Sequence, residues 1–245
     1  MELIRDRIRL VVMDMAGTTV RDLHEVEACF AQAAHQSGLQ MTDDEIRSVQ
    51  GWSKRYVFET FWARQLGSRN EAWFTQVAAS YDLFKELLEH HYMTQPVFPT
   101  EGCLETLQYL QDHQIAVGLT TGFYRQVTDI ILKRLGWFQK LDEEHLGPPG
   151  YWIQSSLASD EVDAGRPAPD MIFQTMQRLH IKDPGQVVNI GDTPSDIESG
   201  RRARVFLNLA VTNGTHMAQQ LEAHEADRLL ARLDDLIPLL NTPVA

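Results

Sequence analysis

Asp14 closes an apolar run, Leu10-Val11-Val12-Met13, and Gly17 supplies a turn just beyond it. A run with no polar alternation reads as a strand buried on both faces. A carboxylate just past such a strand stands where open α/β sheets bind ligands, in the crevice outside the strands' carboxyl ends. Burying it alone is costly, so its natural partner is a cation or a reacting electrophile. Thr120, Arg166 and the pair Asp192 and Asp196 follow apolar or extended segments in the same way. Taken singly, each has an ordinary structural use. Turns favour aspartate and threonine, Arg166 can be a surface cation beside a helix set by Pro167 and Pro169, and carboxylates line first helical turns. Gathered on one rim, they make a phosphoryl-transfer site. Asp14 and Asp192 offer the hard oxygens that Mg²⁺ prefers. Thr120 can donate to a phosphoryl oxygen, and Arg166 can balance charge on the attacking carboxylate and the phosphoryl group.

The elements that must position these residues fall into two kinds. From about Asp22 to Met93 the chain reads as purely helical. Leu23 to Ser37 is a helix stopped by Gly38, and Thr42-Asp43-Asp44-Glu45 has the capping-box pattern of a short second helix. Gly51-Trp52-Ser53-Lys54 interrupts the series, with Ser53 placed to cap a third helix carrying Tyr56, Phe58, Phe61 and Trp62 and ending at Gly67. Glu71 to His91 is a long fourth helix with Trp73, Phe74, Val77, Tyr81, Phe84 and Leu88 as its apolar face. These aromatics read as core.

Pro96-Val97-Phe98-Pro99 is a stiff connector, and after it helices and strands alternate. Helices are expected over 101–112, 125–135, 169–179 and 195–203. Strands are expected over 115–119, near 151–156, and over 187–190 and 205–211, followed by two helical segments. Strands separated by helices imply parallel crossovers and a doubly wound sheet. The expectation is an α/β core, 1–21 with 97–245, and an all-helical insertion over 22–96.

The 245 residues suffice for such a core plus a smaller insert. With 22 Lys and Arg against 34 Asp and Glu, the formal charge is −12, which argues against nucleic acid or an anionic membrane as the main partner. Cys29 and Cys103 have no metal-ligand spacing and read as reduced thiols. Without an apolar signal core or an 18-residue apolar run, the expectation is a cytoplasmic protein.

The four motifs, Asp14-x-Ala16-Gly17-Thr18-Thr19, Thr120-Thr121-Gly122 after a strand, Gly165-Arg166-Pro167-x-Pro169 and Gly191-Asp192-Thr193-x-x-Asp196, resemble in order those of the haloacid dehalogenase superfamily. The resemblance covers nearly the whole chain. It implies a Rossmann-like core, Asp14 as a nucleophile forming an aspartyl-phosphate, and Mg²⁺ held by Asp14, the Ala16 carbonyl and Asp192, with Asp196 close by. It implies substrate contacts from Ala16, Gly17, Thr18, Thr121 and Gly122, and it makes the insertion a cap closing over the site. The Asp192/Asp196 pair favours the phosphoryl branch over the halide-removing branch, which needs no metal.

Most phosphatases of this superfamily carry a second aspartate two residues after the nucleophile, and Ala16 stands there instead. That alanine, with Thr121-Gly122-Phe123, is similar to the phosphonatase branch. There a cap lysine forms a Schiff base with an aldehyde substrate, and Lys54 occupies the matching position. The same branch implies a dimer through the cap. Two positions depart from its pattern: Val57 replaces a histidine and Gln50 a methionine. The leading expectation is a Mg²⁺-dependent hydrolase that cleaves a small phosphonate such as phosphonoacetaldehyde. A phosphatase for a small phosphate monoester, with Lys54 as a substrate-binding cation, and a phosphate-binding regulatory protein with little turnover are the alternatives.

Overall fold

The computed structural model describes residues 2–49 and 52–244, apart from the Arg47 side chain. Gln50 and Gly51 lie outside the described residues. The chain divides into two compact units, Met1–Arg21 with Val97–Ala245, and Asp22–Pro96.

In the first unit, the described residues form one parallel sheet of six strands: β1 (Leu10–Asp14), β2 (Ala116–Thr121), β3 (Ser155–Ala158), β4 (Val187–Gly191), β5 (Leu207–Val211) and β6 (Arg228–Leu230), ordered β3-β2-β1-β4-β5-β6. The chain works outward from β1 through β2 to β3, then jumps across to β4 and works outward the other way. The direction reverses between β1 and β4, and that switch point is where such sheets leave a ligand crevice. Every β1 residue is buried, because helices cover a parallel sheet on both faces. A helix over Asp170–Arg178 packs Ile172 and Met176 against Leu10, Val12 and Val187. Register sets Asp14 beside Thr120 and Met13 beside Ile190, so the polar strand ends come out level.

A short ladder also holds the two places where the chain leaves and re-enters this unit. Val20 bridges Pro99, the Arg21 N–H donates to the Phe98 carbonyl (2.9 Å), and the Thr100 N–H donates to the Thr19 carbonyl (3.0 Å).

The second unit contains helices over Glu25–Ser37, Asp43–Ser48, Lys54–Leu66 and Glu71–Thr94. Its core holds Phe30, Phe58 and Phe84, with ring centroids 4.9 to 6.4 Å apart. The buried indole N–H groups are satisfied: Trp62 donates to Ser80 Oγ (2.8 Å) and Trp73 to the Glu59 carbonyl (2.9 Å). The Thr42/Glu45 capping box forms, with both reciprocal hydrogen bonds present.

Several sequence expectations need correction. Ser53 takes the N-cap position, but its side chain makes no capping bond. Phe74 is 64% exposed and Tyr56 53% exposed, so neither belongs to the core. On the fourth helix the buried stripe is Trp73, Val77, Ser80, Phe84, Leu88 and Tyr92, and Phe74 sits just outside it. The extended piece near 151–156 becomes a strand only from Ser155. The C-terminal region holds a strand, β6, between its two short helices, Ala218–Glu222 and Leu236–Leu240. Another short helix, Ile4–Arg7, precedes β1. Among the described residues, no helix is long and apolar enough to cross a membrane.

Candidate active site

Asp14 is the last residue of β1, and the chain then folds into a tight turn. The Met15 carbonyl accepts from the Thr19 (2.9 Å) and Val20 (2.7 Å) N–H groups, and Thr19 Oγ1 donates to the Asp14 carbonyl (2.9 Å). Gly17 takes a left-handed conformation in this turn (φ +90°), and a Cβ there would sit 2.2 Å from Asp192 Oδ2. The position therefore admits only glycine.

Asp192 follows β4 directly, and Asp196 occupies the first turn of the next helix, Pro194–Ala203. Thr193 caps that helix reciprocally. Its Oγ1 accepts from the Asp196 N–H (3.3 Å), while its own N–H and Oγ1 donate to Asp196 Oδ2 (3.0 and 2.6 Å). The capping that starts the helix thus also orients the Asp196 carboxylate. Behind it, Asn189 donates to the Asp196 carbonyl (3.1 Å) and to Asn208 Oδ1 (3.0 Å), fixing the helix to the sheet.

Arg166 comes from the loop before the Asp170–Arg178 helix. Its Nη1 contacts Asp14 Oδ1 and lies 2.8 Å from Asp196 Oδ1, while Nη2 donates to the Thr120 Oγ1 (2.6 Å) and carbonyl (3.0 Å). The sequence suggests an arginine on a polar rim that balances charge on the attacking carboxylate. Arg166 does pair with Asp14, but from a buried position, its side chain only 10% exposed. One planar fork thus ties together the ends of β1 and β2 and the helix after β4.

Single ligand oxygens of Asp14, Asp192 and Asp196, all buried, lie within 4.8 Å of one another. Burial, reinforced by Asp196 and Asp192 and opposed by Arg166, pushes the Asp14 carboxyl well above the ordinary carboxylate range. Burial and the Asp196 charge push Asp192 up to about 6, against hydrogen bonds from Thr215 and Thr18. With all three carboxylates ionised, one guanidinium would leave two negative charges for another cation to balance. Compact, buried oxygen donors with that charge deficit fit a hard divalent ion such as Mg²⁺.

Direct contacts through Arg166 join Asp14, Thr120 and Asp196, while Asp192, with an oxygen within 4.8 Å of those of Asp14 and Asp196, accepts from Thr18 Oγ1 at its Oδ1 (3.2 Å). Ala16 and Gly17 belong to the same turn. Thr121 ends β2, and Gly122 follows it. Thr121 Oγ1 accepts from the Phe123 N–H (3.1 Å), and the Gly122 carbonyl accepts from Ser159 Oγ (2.9 Å). Lys54 belongs to the helical unit. It is half-buried, with Nζ donating to the Val49 carbonyl (3.1 Å) and lying 5.4 Å from the centre of the Phe30 ring. Burial lowers this amine to about 8, despite the opposing charges of Asp22 and Glu27.

Sequence reasoning overlooked Thr193 and Thr215. Thr215 was findable in principle, since Thr212-Asn213-Gly214-Thr215 follows an apolar run just as the other motifs do.

The fold and this constellation define a hydrolase class, and residues 8–204 match the model of the haloacid dehalogenase-like hydrolases. The chain belongs to that family. It is 28% identical over 210 residues to a phosphonoacetaldehyde hydrolase of Latilactobacillus sakei, covering 81% of this chain and 74% of that protein. A solved phosphonoacetaldehyde hydrolase-like protein from Oleispira antarctica shares the fold at a TM-score of 0.78 and 20% identity, over 96% of this chain and 91% of that one. A β-phosphoglucomutase from Clostridium difficile shares it at 0.71 and 13% identity, over 94% and 93%.

Proposed function

We propose that this hydrolase cleaves a small phosphonate of the phosphonoacetaldehyde type, with Asp14 as nucleophile and Lys54 as the amine that activates the substrate. The observation that carries this reading is the half-buried Lys54 amine, lowered by burial from the ordinary 10.5 to about 8, so that roughly a tenth of it is free of its proton at pH 7. Ala16 supports it, because a methyl group two residues after Asp14 offers no acid for an oxygen leaving group. So does the name carried by the curated relatives at 26–29% identity.

Heterolysis of a C–P bond leaves an electron pair on carbon. Lys54 condenses with the aldehyde, water leaves, and the protonated imine accepts that pair as the bond breaks. Asp14 takes the phosphoryl group, and the carbon fragment stays on Lys54 as an enamine that needs no protonated oxygen. It takes up a proton at carbon, and water hydrolyses the resulting imine to release an aldehyde and free the Lys54 amine. Arg166 neutralises the carboxylate before attack and the phosphoryl oxygens during it, and Thr120 orients one of those oxygens. Mg²⁺, held by Asp14, Asp192 and Asp196 with the Ala16 carbonyl, supplies further charge stabilisation when bound. Water then hydrolyses the aspartyl-phosphate. We further propose that the helical unit serves as the cap that delivers Lys54 to the substrate.

Borohydride reduction in the presence of phosphonoacetaldehyde should inactivate the protein and leave a reduced adduct on Lys54. Lys54→Arg should lose phosphonate cleavage while keeping the charge, since a guanidinium forms no imine. An absent adduct, with Lys54→Arg as active as the wild type, would refute this chemistry.

Val57 favours a second reading. It is fully buried in the helical unit, at the position of the phosphonatase histidine, and offers no group for proton transfer. On that reading Lys54 binds a phosphate monoester as a cation. Phosphate release from monoesters, with none from phosphonoacetaldehyde, would select it.

A further inference from the structure

β5 delivers the loop from Thr212 to His216 onto Asp192. Thr215 donates twice to Asp192 Oδ2, from its backbone N–H (2.7 Å) and its hydroxyl (2.6 Å). The hydroxyl has one proton, and the short charge-assisted bond to Asp192 takes it. His216 Nδ1, 3.1 Å from Thr215 Oγ1, is therefore the donor in that contact. The polarity of the chain is thus set, from His216 to Thr215 to Asp192. Gly214 approaches so closely that a Cβ there would fall 2.4 Å from Asp192 Cβ, and Gly17 closes in on Oδ2 from the turn after β1. Two glycine-bearing turns therefore enclose the Asp192 carboxylate.

We propose that the loop from Thr212 to His216 is a positioning element for the metal site. Thr215 fixes the rotation of the Asp192 carboxylate, and His216 keeps the Thr215 hydroxyl proton aimed at it. This inference rests on reading the three carboxylates as a Mg²⁺ site. A carboxylate free to turn about its last bond must be ordered when the cation arrives, whereas this one is already held. Partners that orient a metal ligand in this way are typically worth about 10- to 100-fold in metal affinity.

The test is calorimetric titration with Mg²⁺ alone, alongside melting temperatures of the metal-free proteins. Thr215→Val should bind Mg²⁺ about 10- to 100-fold more weakly than the wild type, with little change in the metal-free melting temperature. Thr215→Ser, which keeps the hydroxyl, should restore affinity. His216→Phe should weaken binding less than Thr215→Val. If Thr215→Val fails to fold, Gly214→Ala takes its place, because the added methyl forces the loop away from Asp192. Wild-type affinity in Thr215→Val or Gly214→Ala would overturn the positioning role. Absence of Mg²⁺ binding in the wild type itself would overturn both the metal reading and this inference.

Discussion

The guanidinium of Arg166 is bound to the carboxylate of Asp14, and neither side chain is more than 10% exposed. The pair also leans on Asp196 and Thr120, so its removal should be felt in folding as well as in turnover. Arg166→Ala leaves buried carboxylates unpaired and should cost about 3–5 kcal/mol in the metal-free protein. Thermal melts of the single variant and of Arg166→Ala with Asp14→Asn should show the second change restoring part of the loss. Full stability in the single variant would remove Arg166 from this role.

Asp14→Asn should lower phosphate release by several powers of ten, as expected when a covalent nucleophile is lost. The metal-free variant should melt no lower than the wild type, because the ionised Asp14 carboxylate is disfavoured by burial and by Asp196 and Asp192. Near-normal turnover would sink the mechanism.

Mg²⁺ should raise the melting temperature by binding only the folded form, and its affinity should depend on pH with a definite sign. Asp192 sits at about 6 without metal, so below that pH the cation must displace a proton. Apparent affinity should fall about tenfold per pH unit below 6 for each proton released. Calorimetric titrations at pH 5 and pH 7.5 with equal affinities would contradict this.

The Lys54 amine should leave its own mark on the pH profile. Phosphonate cleavage under substrate-limiting conditions should rise with pH through a midpoint near 8 and level off above it, as the free amine fraction saturates. Stability follows the same linkage. The folded value lies below the ordinary 10.5, so between about 8 and 10.5 the unfolded chain binds the extra proton. The Lys54 contribution to stability therefore rises with pH across that window. Lys54→Met should abolish that rise in urea melts at pH 8 and pH 10; an unchanged rise would place its origin elsewhere.

What the sequence discloses follows from burial. β1 and β4 lie in the middle of the sheet, covered on both faces, so β1 reads as an unbroken apolar run up to Asp14, and β4 as one interrupted only by Asn189 before it reaches Gly191 and Asp192. β3 and β6 are the two edges. Their short segments, Ser155-Ser156-Leu157-Ala158 and Arg228-Leu229-Leu230, carry too little apolar pattern to be distinguished from loops. Asp14, Thr120, Arg166, Asp192 and Asp196 are legible because each occupies a fixed offset from an element. The Arg166 contacts and the Thr215 clamp join residues far apart in sequence through side-chain directions, which no local pattern encodes. Phe74 misleads for a related reason, since one position of helical phase separates a buried face from solvent.

The ladder of Val20 with Pro99 and of Arg21 with Phe98 has an evolutionary consequence. It brings the two ends of the insertion point together within the core unit itself, so chain of almost any length can be spliced there at small entropic cost. Every hydrogen-bond partner named above for Asp14, Asp192 and Asp196 belongs to that same core. The segment from Asp22 to Pro96 is thereby an interchangeable part. A different helical module, or a bare turn, can be joined at the same two chain segments while the carboxylates keep all of those neighbours.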